Sequence, residues 1–164
     1  MKTLLLGSTL LCLLASPAHA QLRTVDDLSL AAANKLANAA MAACQAQGRH
    51  IVVSVLDRGG NVVVVQRADG VGPHNTDASR RKAYTALSTK SDTYTLAVAA
   101  RNNPDMANLS TVPELLLLGG GLPLMAQGQV VGAIGVAGGG GAQQDRACAQ
   151  AALSSIPELD LPTP

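Results

Sequence analysis

Phenylalanine and tryptophan are absent from the chain, and tyrosine occurs only twice, at Tyr84 and Tyr94. Two isolated rings make a poor platform for stacking a run of nucleic-acid bases. Charge is scarce too, and it is balanced. Loss of Lys2 with a leader brings the twelve basic residues level with the eleven acidic ones. A nucleic-acid partner is excluded on that ground, since phosphate binding needs a large basic surface. Cysteine occurs three times, at Cys12, Cys44 and Cys148, with no C-x-x-C and no C-x-x-C-H for covalent haem attachment. No G-x-S-x-G elbow is present, no pair of carboxylates is spaced as an acid and a base, and Ser54 falls inside a strand.

The N-terminus reads as a secretory leader. Lys2 gives a positive start, Leu4–Leu14 is apolar apart from Gly7, Ser8 and Thr9, and Ala18-His19-Ala20 is a small-x-small cleavage pattern. Cleavage after Ala20 is expected, leaving a periplasmic or secreted chain that begins at Gln21. The apolar run is too short to span a bilayer, so no membrane insertion is expected after cleavage. Cys12 follows Leu11, where a lipid-attachment site wants a small residue, so a lipoprotein is not expected. In an oxidising compartment the remaining pair, Cys44 and Cys148, suits a disulfide, the alternative being two buried thiols acting as small apolar residues.

Periodicity places the elements. A helix is expected from Thr24 to Gly48, with Thr24 and Asp27 as a capping-box variant and Gly48 as its stop. IVVSVLD and VVVVQR, joined by Asp57–Asn61, read as a hairpin whose two apolar faces are both covered, with Asp57 shaping the turn. Helices follow at about Asp77–Ser88, capped by Asn75 or Thr76, and at Thr93–Arg101, ended by Asn102-Asn103-Pro104. Strands are expected at Glu114–Leu118, Leu122–Ala126 and Gln129–Ala137, then a helix over Ala142–Leu153. The order αββααβββα predicts an α+β domain over residues 21–156, a five-stranded antiparallel sheet flanked by helices. The tail at 157–164 reads as loose.

Candidate chemistry centres on ADGVGPHNTDASRRKAYTA. His74 stands just before a helix start, where the positive end of the dipole disfavours an imidazolium. A neutral imidazole binds metal, and one such ligand suits an axial position on a cofactor with its own four nitrogens, such as haem. The alternative is a loop histidine that hydrogen-bonds backbone. Arg81 and Lys82 are candidates to hold a carboxylate beside His74, and neither His74 nor Lys82 is expected in the core. Arg80 aligns with Tyr84, or one of the three cations pairs with Asp77 on a solvated face. His50 is a weaker ligand candidate. The run Gly138–Gly141 before Asp145 reads as a tight reversal, although its amides could also hold an anion.

Four segments resemble the GlcG/HbpS-like family of haem-binding proteins, also seen as the C-terminal domain of PduO proteins. They are Val53–Val64, Arg67–Gly70, Lys82–Ala86, and Gly119–Gly139 followed by Asp145–Ala149. The resemblance runs from about Val25 to Ile156. It implies an antiparallel sheet with helices, assembly into homo-oligomers, and haem binding, with slow haem breakdown or a sensing role in some members. Three functions stay open at this point: a binding protein for haem or a similar small acidic molecule, an enzyme acting on haem or a small organic acid, and a ligand-free accessory of an exported partner.

Overall fold

The computed structural model of the protein describes residues 23–160. The expected leader, Cys12 and the cleavage site lie outside the described residues, as does the end of the tail. Among the described residues are four α-helices, one 3-10 helix and one sheet. They are α1 (Leu30–Gln45), β1 (Val52–Asp57), β2 (Val62–Arg67), α2 (His74–Thr89), α3 (Thr93–Asn102), the 3-10 helix Pro104–Thr111, β3 (Gly121–Ala126), β4 (Gln129–Ala137) and α4 (Ala142–Leu153).

The sheet has four strands, not five, in the order β2-β1-β4-β3, and every neighbouring pair is antiparallel. The missing strand is Glu114–Leu118. Its backbone is satisfied by side chains and local turns instead of by a neighbouring strand. Thr85 Oγ1 accepts from the Leu116 N–H at 2.8 Å, Arg81 donates to the carbonyls of Pro113 and Leu115, and the Thr93 hydroxyl donates to Leu118 O. Four consecutive leucines fit a strand or a packed loop equally well, and here two helices claim the hydrogen bonds.

Alternation along β1 divides the core. Val53 and Val55 face α1 and α4, packing with Leu36, Ala37, Ile134 and Val136. Ser54 and Leu56 face α2, where Leu56 meets Ala83, Ala86 and Ala133. β1 is buried on both faces, as its continuous apolar run requires. On the α2 side, contact is close to backbone-on-backbone. A Cβ at Gly135 would collide with the Ser79 carbonyl, and one at Gly121 with the Lys82 carbonyl. The two glycines are paired across β3 and β4, and their missing side chains are what let α2 lie flat on the sheet. A buried Ser54–Ser79 hydroxyl bond of 2.7 Å completes this small-residue seam.

Three details differ from expectation. α1 begins at Leu30, because Ser29 caps it by accepting from the Ala32 N–H. Asp27 is then free to accept from the N–H groups of Leu28 and Arg58, tying the entering chain to the β1–β2 turn. α2 starts three residues early, at His74 itself, and has no side-chain cap. The described part of the tail is not loose, since Asp160 pairs with Met125 at the edge of β3 through two backbone bonds of 2.9 and 3.0 Å. Cys44 of α1 and Cys148 of α4 form the expected disulfide, with 5.5 Å between their Cα atoms.

Candidate functional site

Antiparallel pairing gathers three chain ends at one end of the sheet. Val52 opposes both Arg67 and Ala137. The segment entering β1, the loop leaving β2 and the glycine run leaving β4 therefore meet there. They enclose an open cleft of about 570 Å³, walled by Arg49, His50, Asp69, Gly72, Asn75 and Gly139. A smaller hollow of about 210 Å³ shares Arg49, His50 and Asp69 and adds the apolar side chains of Met41 and Ile51.

The wall is built by specific bonds. Ala68 N–H donates to Ile51 O, and Arg67 donates to Val71 O, which folds the loop after β2 back over the strand ends. Asp145 Oδ1 accepts from the Gly139 N–H at 2.7 Å, and Arg49 Nη1 donates to the Gly139 carbonyl. The glycine run is thus gripped on both polar groups of one residue. Gly138, Gly140 and Gly141 all take positive φ angles, which allow the reversal into α4. Arg49 Nε is buried and has no partner among the described residues.

The two described histidines stand at this end. His50 is in the wall, with Nδ1 3.2 Å from the Asp69 carbonyl oxygen. A carbonyl can only accept, so Nδ1 carries the proton and Nε2 of the neutral ring keeps its lone pair. His74 is exposed at the first position of α2, its ring folded against Gly72, whose backbone lines the cleft. Asn75 Nδ2 donates to the Gly72 carbonyl and fixes that corner.

Arg81 and Lys82 do not join His74. Arg81 is spent on the carbonyls of Pro113 and Leu115. Lys82, expected outside the core, is 1% exposed. Its Nζ donates to Asp145 Oδ2 at 2.7 Å, with the Asp145 side chain 5% exposed, and to Val136 O at 3.0 Å. Burial pushes the Lys82 ammonium below its usual pKa, and the charge and hydrogen bond of Asp145 only partly offset that. Arg80 takes the solvated alternative, bridging Asp77 and Glu114 at 3.0 Å each rather than lying along Tyr84. The sequence reading missed Arg49, Asp69 and Asn75 as wall residues and Asp145 as the partner of Lys82. A signal existed for the last. Lys82 is three residues after Ser79 and four before Ala86, on the small-residue face of α2, so an inward lysine was already implied.

Likeness to known proteins follows the same frame. Residues 28–154 match the family described as "Haem degrading protein HbpS-like". An uncharacterised 15.0 kDa protein of Citrobacter freundii, from the dhaT-dhaS intergenic region, is 37% identical over 82% of this chain and 96% of its own length. The crystal structure of a Streptomyces reticuli HbpS double mutant superposes with a TM-score of 0.78. It is 39% identical and covers 87% of this chain and 97% of that one. A haem complex of PduOC superposes at 0.75 with 26% identity, over 84% of this chain and 99% of that one. With the match spanning nearly all described residues, this chain belongs to the HbpS-like family.

Proposed function

We propose that this chain is an exported haem-binding protein and that haem sits in the cleft at the His50 end of the sheet. The observation that carries the reading is the orientation of His50. Its Nδ1 is tied to a backbone carbonyl and its Nε2 lone pair is left for an axial ligand position. Among the described residues no three His, Cys, Asp or Glu side chains cluster as metal ligands. The imidazole therefore suits an iron that brings its own equatorial nitrogens. Haem supplies that iron with one or two axial positions open to protein ligands.

The rest of the wall fits the group. Met41, Ile51 and Val71 offer apolar contact. Arg49 holds Gly139 with one nitrogen and has further donors to offer a propionate. His74, at the rim, is the candidate for a second residue that would hold the iron. The PduOC haem complex shows haem bound by a relative of the same fold. Export is supported by the leader-like N-terminus and by the Cys44–Cys148 disulfide, a bond that persists in oxidising compartments.

Haem titration of the purified protein followed by absorbance tests the assignment. His50→Ala should abolish the Soret shift of the bound form or weaken binding at least tenfold, because it removes an axial ligand. His74→Ala should alter the spectrum while leaving haem bound. Lys82 and Arg81 are committed to backbone and Asp145, so their substitution should act on stability before affinity. An unchanged titration for His50→Ala would refute His50 as the ligand.

A further inference from the structure

The opposite end of the sheet carries a second cleft that the haem reading does not use. The β1–β2 turn and the β3–β4 turn come together there, beside the C-terminus of α2. They enclose a cavity of about 520 Å³, within the range of about 300–1,000 Å³ usual for small-molecule sites. Leu87, Met125 and Val130 supply the apolar part of its lining, and Arg58, Lys90 and Tyr84 the polar part.

Two cations on one cleft raise the question of their partners. Arg58 Nη1 donates to Gln129 Oε1 at 3.2 Å, a neutral acceptor. Neither the Arg58 guanidinium nor the Lys90 ammonium pairs with a carboxylate among the described residues. Two carboxylates flank the turn, but both are engaged and neither lines the cleft. Asp57 accepts from the backbone and side-chain N–H groups of Asn61, and Asp27 accepts from the N–H groups of Leu28 and Arg58. By contrast, Arg80 and Arg146 pair with acids, and Arg49, Arg67 and Arg81 hold backbone carbonyls.

The backbone at Lys90 adds a separate observation. Lys90 caps α2 in the left-handed region, at φ 54° and ψ 30°. Glycine is the residue that adopts this conformation without strain. A lysine there lines the cleft at a conformational cost, and strain of this kind clusters at ligand sites. Tyr84 also lines the cleft, its ring against Gly60 of the β1–β2 turn.

We propose that this cleft binds a small organic anion with a flat apolar body, of the aromatic carboxylate class. Arg58 and Lys90 take the carboxylate, Tyr84 stacks against the ring, and Leu87, Met125 and Val130 cover its remaining surface. The site is separate from the haem cleft and does not depend on it.

Titration of the ¹⁵N-labelled mature protein with 2-naphthoate, and in parallel with neutral 2-naphthylmethanol, tests the proposal. Naphthoate should shift the amides of Arg58, Gly59, Ser88, Lys90 and Gln129 saturably, and the alcohol should bind far more weakly. Arg58→Gln and Lys90→Gly should each weaken naphthoate binding about tenfold or more, the scale of one charge-assisted hydrogen bond. Lys90→Gly suits the left-handed backbone, so the fold is retained. Haem titration of both variants should match the wild type. The proposal is overturned by the absence of saturable shifts at this end, by equal binding of acid and alcohol, or by undiminished binding in both variants. Shifts confined to Arg49, His50 and Asn75 would also overturn it.

Discussion

Lys82 stands on the face of α2 that packs against the sheet, and its side chain is buried. Three consecutive basic residues on a helix point 100° apart, so at most one or two can share a solvated face. Arg80 takes that face, and Lys82 is turned inward, past Gly120 just before β3, to Asp145 at the start of α4. Asp145 in turn holds the amide of Gly139 in the cleft wall. Removing one partner of a buried ion pair leaves the other charge uncompensated. Lys82→Met should therefore lower unfolding free energy by about 3–5 kcal/mol, read by urea denaturation. The pH dependence has a definite sign. Burial holds the folded-state pKa of Lys82 below its usual 10.5. Between those two values the unfolded chain binds more protons, so this lysine makes stability rise with pH toward 10.5. The difference in stability between wild type and Lys82→Met should widen over that window. A constant difference would show that Lys82 does not titrate as its burial dictates.

At the scale of elements, hydrophobic periodicity located the four α-helices and four of the strands, but not the 3-10 helix Pro104–Thr111. Residues 52–57 and 62–67 read as a hairpin because β-branched runs flank Gly-Gly-Asn, and the structure keeps both runs and the Asp57 turn. Periodicity failed at Glu114–Leu118, where Thr85, Arg81 and Thr93 supply the hydrogen bonds a neighbouring strand would have supplied. Those partners lie 25 to 34 residues away in sequence, and no local pattern announces them. The cleft was half legible for the same reason. His50 and Gly138–Gly141 are conspicuous in sequence, but only the antiparallel register puts them beside Asp69 and Asn75.

The disulfide was legible from cysteine count and the compartment expected from the leader, and it joins the two helices that cover one face of the sheet. It closes a separation of 104 residues, for which chain entropy alone gives about 4–5 kcal/mol. Replacing both cysteines by alanine should cost about 2–5 kcal/mol, the range for native disulfides in small secreted domains. Thermal unfolding of the double variant against the wild type measures it. A change under about 1 kcal/mol would mean that α1 and α4 are held by their alanine-rich contact alone.

For the whole molecule, the uneven treatment of its two sheet edges points to assembly. The β3 edge is closed at one point by Asp160, whose backbone pairs with Met125. The β2 edge has no strand beside it among the described residues, and Val62 and Val65 on it are 48% and 43% exposed. Ser54 opposes Val65 and packs under α2 through Ser79. Val65 therefore faces the same side of the sheet but lies beyond the cover of that helix. Edge strands of monomers are commonly blunted by charge, proline or a bulge. Here Arg67 supplies a charge at one end and a register shift opposite Leu56 a bulge at the other, yet Val65 and Val62, on either side of that bulge, stay bare. We infer that a second copy of the chain covers this strip, which agrees with the homo-oligomer that the family resemblance implies. Light scattering of the purified protein at micromolar concentration should give a multiple of the subunit mass. Val65→Lys, which sets like charges against each other across a two-fold contact, should move that mass toward one subunit while the circular dichroism stays unchanged. A monomeric wild type would remove the inference, and an oligomer indifferent to Val65→Lys would move the contact away from β2.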